Sequence, residues 1–245
     1  MEAVSDFVDT LTSTLTPPTR WVLYACLGAA AVIVLYQPVW RWVRNLVTIA
    51  HEGGHALTAV LTRRRLTGIR LHSDTSGLTF TKGRPTGPGA VLTAFFGYPA
   101  PALLGLGAAA LIGGGYIVAF LWIAVLITAV MLIFIRNWFG ALALVIVGGG
   151  AFAATWYGSA EVQIGAAYIA VFVILLGSVK AVFELAGQRQ AARRTGNVAS
   201  DADQLANLTR LPAGFWMFVF FLINGACAVY GLWLLLPEQE FWSTL

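Results

Sequence analysis

Seven stretches of the chain, at approximately 21–36, 45–62, 90–112, 116–135, 139–157, 164–179 and 213–236, are apolar over about the 20 residues that a helix needs to cross a bilayer. In lipid a backbone must satisfy its own amides, and a helix does so within one segment. The predicted fold is therefore an all-α polytopic membrane protein of about seven transmembrane helices. Hydrophobic residues make up 58% of the chain and charged ones 11%, which excludes an ordinary soluble domain. There is no long polar linker, low-complexity tract or internal repeat, so residues 1–245 are read as one integral membrane domain with cytoplasmic segments at 63–89 and 180–212. Cys26 and Cys227 both fall in apolar stretches and are read as small core residues.

The orientation follows from the basic residues. Seven spans put the termini on opposite sides, and the side holding the N-terminus, 63–89, Arg136 and 180–212 carries thirteen of the 15 Lys and Arg. The other side holds Arg41 and Arg44 alone. Cytoplasmic loops are the basic ones. The N-terminus is thus expected in the cytoplasm and the C-terminus, with Glu238 and Glu240, outside. The acidic start (Glu2, Asp6, Asp9) lacks the pattern of a cleaved signal, so the first span is expected to stay. The net charge of +4 is then a sign of topology in a plasma membrane, with no nucleic-acid partner implied.

Within the predicted spans the ionisable side chains are His51, Glu52 and His55, in "TIAHEGGHALTAV". Such groups are expensive in hydrocarbon and are kept for a use. Residues four apart share one face of a helix, so the two imidazoles can grip one ion, and the pattern is the helical zinc motif His-Glu-x-x-His. Neutral imidazoles supply two ligands, and Glu52 can accept a proton from the metal-bound water. With three His and six Glu in the chain, a chance match is expected about once in a thousand such sequences. A pair of buried histidines bonded to neighbouring helices is the plainer reading. Gly53 and Gly54 count against it, since two glycines inside a helix cost about 1 kcal/mol each.

A His-Glu-x-x-His motif inside a span resembles the site-2 protease family of intramembrane zinc metalloproteases, and more narrowly its bacterial M-fifty-type branch. The resemblance runs from about Val47 to Trp216 through "HEGGHALTAVL", "FFGYPAPALLG", "FIRNWFG" and "SDADQLANLTRLPAGFW". It implies a zinc metalloendopeptidase that cuts membrane-spanning protein substrates, with Zn2+ as cofactor and the lipid bilayer as surroundings. In better-known members the third ligand is an aspartate in a later span, after Asn-x-x-Pro, within Leu-Asp-Gly. Here the fifth span begins "RNWFG", with Asn137 and no aspartate. Two residues can fill that place. The narrower branch favours Asp201 in "ASDADQL", although Asp201 and Asp203 after Ser200 also suit the first turn of a surface helix. Asn137 offers a neutral amide oxygen as ligand, or alternatively a contact to a backbone or substrate.

In "GIRLHSDTSGLTFTKG" the apolar Ile69, Leu71, Leu78 and Phe80 recur with period two around a turn-rich centre, which predicts a short β-hairpin. It is either a flap over the mouth of the bundle or, as the resemblance implies, an edge to which an unwound substrate adds as a strand, with Leu78 and Phe80 as contacts. Pro99 and Pro101 either kink the third span or open it beside the histidines. His72 is read as solvated, and Arg189, Arg193 and Arg194 as lying at anionic head groups. Two other functions compete: a catalytically inactive relative that binds membrane clients, and a metal transporter.

Overall fold

The computed structural model describes residues 9, 11–195 and 200–236, and of 191–195 the backbone alone. The acids read at 2, 6, 238 and 240 and the side chains of Arg193 and Arg194 lie outside the described residues. Nine helices are described: α1 (Arg20–Leu35), α2 (Gln37–Leu61), α3 (Pro88–Phe95), α4 (Pro99–Gly113), α5 (Ile117–Phe134), α6 (Trp138–Tyr157), α7 (Ala160–Thr195), α8 (Asp201–Thr209) and α9 (Ala213–Leu235). Between α2 and α3 lies an antiparallel pair, β1 (Arg65–Leu71) and β2 (Gly77–Lys82).

Among the described residues the helices give four to six candidate spans where seven were expected. Four helices (α5, α6, the stretch Ala160–Gln190 of α7, and α9) are by themselves long and apolar enough to cross a membrane. Two bent pairs, α1 with α2 at 101° and α3 with α4 at 63°, bring the total to six if each pair is one span. Prolines set both bends. Pro38 lies in the first turn of α2 and Pro99 in that of α4, where a missing N–H is tolerated but continuation of the preceding helix is not. Cys26 and Cys227 are free and buried, as the apolar context required.

Helix α7 runs past the predicted end of its span, and this brings two ionisable groups into the bundle. Glu184 accepts from Trp40 Nε1 at 2.7 Å and pairs with Arg44 at 3.0 Å, while Lys180 donates to the carbonyl of Val34 and lies 4.8 Å from the Trp40 ring. Arg44 in turn donates to Thr75 Oγ1 at 2.6 Å, and Thr48 donates to the Thr75 carbonyl at 3.0 Å. The hairpin tip is thus fastened to α2 more than three turns before that helix ends. The strands lie along α2.

Register decides what the hairpin shows to each side. Ile69 pairs with Thr79 and Leu71 with Gly77, so Ile69 and Leu71 share a face with Thr79 and Gly77. That face is inside: Ile69 and Leu71 are fully buried with Ile49, Met131 and Leu144. Leu78 and Phe80 lie on the opposite face and are exposed, with Arg70 over the Phe80 ring. The outer edge of β1 is closed by a parallel bridge from Ile69 to Ile135 and a bond from Arg136 N to Ile69 O of 2.9 Å. A separate cluster of Ala94, Val182, Leu185, Ala202, Leu205 and Phe220 packs α8 against α3, α7 and α9.

Candidate metal centre

His51 and His55 project from successive turns of α2, and their Nε2 atoms stand 3.0 Å apart. The third group arrives from α8. Ser200 caps this helix, and Asp203 completes a capping box with it, so the amides of Ser200 and Asp203 are satisfied without the Asp201 side chain. Asp203 also pairs with Arg189 of α7, which therefore faces the protein. Ala202 and Leu205 are buried completely and press the helix onto the bundle. Asp201 is left to meet the histidines: its Oδ2 lies 3.1 Å from His51 Nε2 and 3.2 Å from His55 Nε2. Burial would raise this carboxyl, but the charges and hydrogen bonds of His55 and His51 outweigh it and hold Asp201 well below the usual carboxylate range.

The donor set fits a small divalent ion. Three ligand atoms at 3.0, 3.1 and 3.2 Å from one another form a nearly equilateral triangle. The corresponding edge of a tetrahedron around zinc, with bonds of about 2.0–2.1 Å, is about 3.3 Å. Among the described residues this trio is the one group of three or more His, Cys, Asp or Glu placed to hold a metal. The outer contacts agree. His55 Nδ1 lies 2.7 Å from the carbonyl of Thr93, in the last turn of α3 where carbonyls lack helical partners, which turns Nε2 inward as the free donor.

The break between α3 and α4 lies directly on the two imidazoles. A Cβ at Gly97 would stand 2.5 Å from His55 Cε1 and Nε2 and 2.8 Å from His51 Cε1. Next to it the Tyr98 ring meets His51 edge-on at 4.8 Å and stacks on Phe220 at 5.0 Å. Gly54 serves the same approach, since a side chain there would run into Ala100 and the Phe96 carbonyl, whereas Gly53 meets only Met131 at 3.6 Å. Gly97→Ala is accordingly expected to displace the imidazoles and to lower metal content by at least about tenfold, by analogy with losses of outer-shell contacts. Metal analysis of the purified variant measures this, and wild-type content would refute it.

Glu52 turns the other way, toward the hairpin. It is 3% exposed and accepts at Oε2 from Thr79 Oγ1 at 2.6 Å. Gly77 lies so close to this carboxyl that no side chain fits between them. The two residues of β2 against the glutamate are thus Gly77 and Thr79, not Leu78 and Phe80. Asn137 is not brought to the histidines: its Oδ1 accepts from Leu71 N at 3.2 Å and its Nδ2 donates to Leu71 O at 2.6 Å. It closes the β1 edge as a strand would. Asn137→Ala is expected to cost about 1–3 kcal/mol by leaving the buried Leu71 backbone unpaired, with metal content unchanged. A melting curve and a metal assay together check this, and lost metal at unchanged stability would put Asn137 in the metal site. His72 is exposed, within 3.3 Å of Ser76 Oγ, and takes no part.

Thr79, Thr93, Gly77 and Gly97 were not singled out by sequence. Only Gly97 carried a signal, as the residue before a proline-rich helix in "FFGYPAPALLG". The helices thus bring together, beside apolar helices long enough to cross a membrane, a His-His-Asp group that could hold a metal and a buried glutamate next to it in sequence. Residues 24–231 match the family described as Peptidase M50B-like, and the chain belongs to that family. No curated protein and no solved structure matches it.

Proposed function

We propose that the chain is an intramembrane zinc metalloprotease that hydrolyses peptide bonds of membrane-spanning proteins. The observation that carries the reading is the meeting of His51 Nε2, His55 Nε2 and Asp201 Oδ2 within 3.2 Å, beside the buried Glu52. These three residues would hold the ion. Zinc bound there supplies Lewis acidity, polarising the scissile carbonyl and acidifying a water. Glu52 accepts the proton of the attacking water and delivers it to the leaving amine. Thr79 holds the glutamate by its Oε2 and Gly77 lies against the same carboxyl, so the hairpin fixes its position.

The hairpin offers the place for an extended substrate. On β1 the outward backbone groups are those of Ile69 and Leu71, taken by Arg136 and Asn137. Their cross-strand partners Thr79 and Gly77 must then point their own backbone groups out from the other edge. That edge has no backbone partner among the described residues. A substrate strand added there lies next to Glu52, with its carbonyls released from helical bonds. Leu78 and Phe80, exposed on the far face, meet flanking side chains of the substrate.

The basic segments 63–89 and 180–212 support a cytoplasmic mouth in a bacterial plasma membrane, with the C-terminus outside after α9. A metal transporter needs ligands along a path, and Lys180 and Glu184 of α7 are instead paired with α1 and α2. Reconstituted chain mixed with single-span test proteins distinguishes protease from inactive relative. Cleavage that 1,10-phenanthroline abolishes and added zinc restores is expected. Tight zinc binding without cleavage of any span would favour the client-binding relative.

A further inference from the structure

Where α2 ends, the hairpin closes and α3 begins, the chain forms a half-open cavity of about 320 Å3 whose lining includes Arg63, Arg64, Arg84, Gly87 and Gly89 and contains no acidic residue. Its volume corresponds to about ten waters, enough for a phosphate with part of an attached alcohol. We propose that this cavity binds a phosphate group, as a phospholipid headgroup or as free phosphate.

Three observations converge on an anion. Arg63 and Arg84 are exposed and their guanidinium groups form no hydrogen bond or ion pair among the described residues. Arg64 is fixed in place by bonds from Nη1 to the Arg84 carbonyl at 2.6 Å and from Nη2 to Thr81 Oγ1 at 3.4 Å, yet its Nε is buried with no partner. A buried donor without an acceptor is costly, and a phosphate oxygen in the cavity supplies one. The third observation is the start of α3: Gly87 gives no side-chain cap and the first turn has no acid; Pro88 has no N–H and Ala90 N and Val91 N donate to the Gly87 carbonyl, which leaves the Gly89 amide to meet an anion. Guanidinium forks match phosphate oxygens in pairs, which favours phosphate over a halide. Arg63 and Arg64 follow the apolar "ALTAVL" of α2 after Thr62, the arrangement of basic residues that meets anionic headgroups at the end of an apolar helix. Because Arg64 also ties the two hairpin strands, an anion here steadies the base of the hairpin.

The test uses the purified full chain in a neutral detergent, with melting followed at constant ionic strength. Dihexanoyl phosphatidylglycerol, dihexanoyl phosphatidylcholine and inorganic phosphate are titrated in turn. Stabilisation that saturates with phosphatidylglycerol, and not with phosphatidylcholine, identifies a headgroup site. Saturation with inorganic phosphate identifies a free-phosphate site. In either case the double variant Arg63→Gln, Arg84→Gln is expected to bind at least about tenfold more weakly, while Arg70→Gln, on the exposed face of the hairpin, responds as wild type. The proposal is overturned if neither anion stabilises the wild-type chain beyond chloride, or if the double variant, melting normally, responds as wild type does.

Discussion

Glu52→Gln is expected to lower peptide-bond cleavage by about 10²–10⁴-fold, the usual contribution of a general base, while metal content stays at the wild-type level. The substitution preserves size, which matters because Gly77 lies against the carboxyl with no room for a larger group. It preserves an oxygen that can accept from Thr79 Oγ1, now at 2.6 Å. The imidazoles of His51 and His55 face α3, α4 and α8, so their positions do not depend on the charge of Glu52. What disappears is the basic oxygen. Cleavage rates with equal zinc content measure the effect, and activity within a few-fold of wild type would remove Glu52 from the chemistry.

The second large effect separates two aspartates two residues apart. Asp201→Ala should strip the metal, because two imidazoles remain where three donors met at 3.0–3.2 Å. Asp203→Ala should keep it. That variant loses the capping box with Ser200 and the pair with Arg189, so about 0.5–2 kcal/mol of stability goes. In the native chain Asp203 lies below the ordinary carboxylate range, since Arg189 and Ser200 outweigh its partial burial. Zinc content and melting temperature on both variants give opposite patterns. Retention of zinc in Asp201→Ala would return Asp201 to a purely local, first-turn role.

The ligand pair was legible because a four-residue spacing on a helix converts directly into a shared face, whatever surrounds it. Asp201 was favoured as the third ligand only through the resemblance to the narrower branch. Asp203 is taken up locally, in the capping box of Ser200, and the burial of Ala202 and Leu205 fixes which way α8 is turned, so that Asp201 meets the histidines. The hairpin's existence followed from period-two patterning, but its register did not. The turn pairs His72 with Ser76, and this sets Leu78 and Phe80 on the face opposite Ile69 and Leu71. The count of seven took 21–36 and 45–62 as two spans, whereas the structure joins them at Pro38 as one bent pair; the bend at Pro99 falls inside a stretch read as a single span. Lys180 and Glu184 were left outside a span because their partners Trp40, Arg44 and Val34 are about 140 residues away in sequence.

The central claim is that one zinc ion sits among His51, His55 and Asp201. Diffraction from crystals of the zinc-loaded chain at wavelengths on either side of the zinc absorption edge tests it most directly. One anomalous peak is predicted at about 2.0–2.2 Å from His51 Nε2, His55 Nε2 and an Asp201 carboxylate oxygen. A peak bonded to Asn137, or no peak between the histidines of zinc-loaded protein, would contradict it.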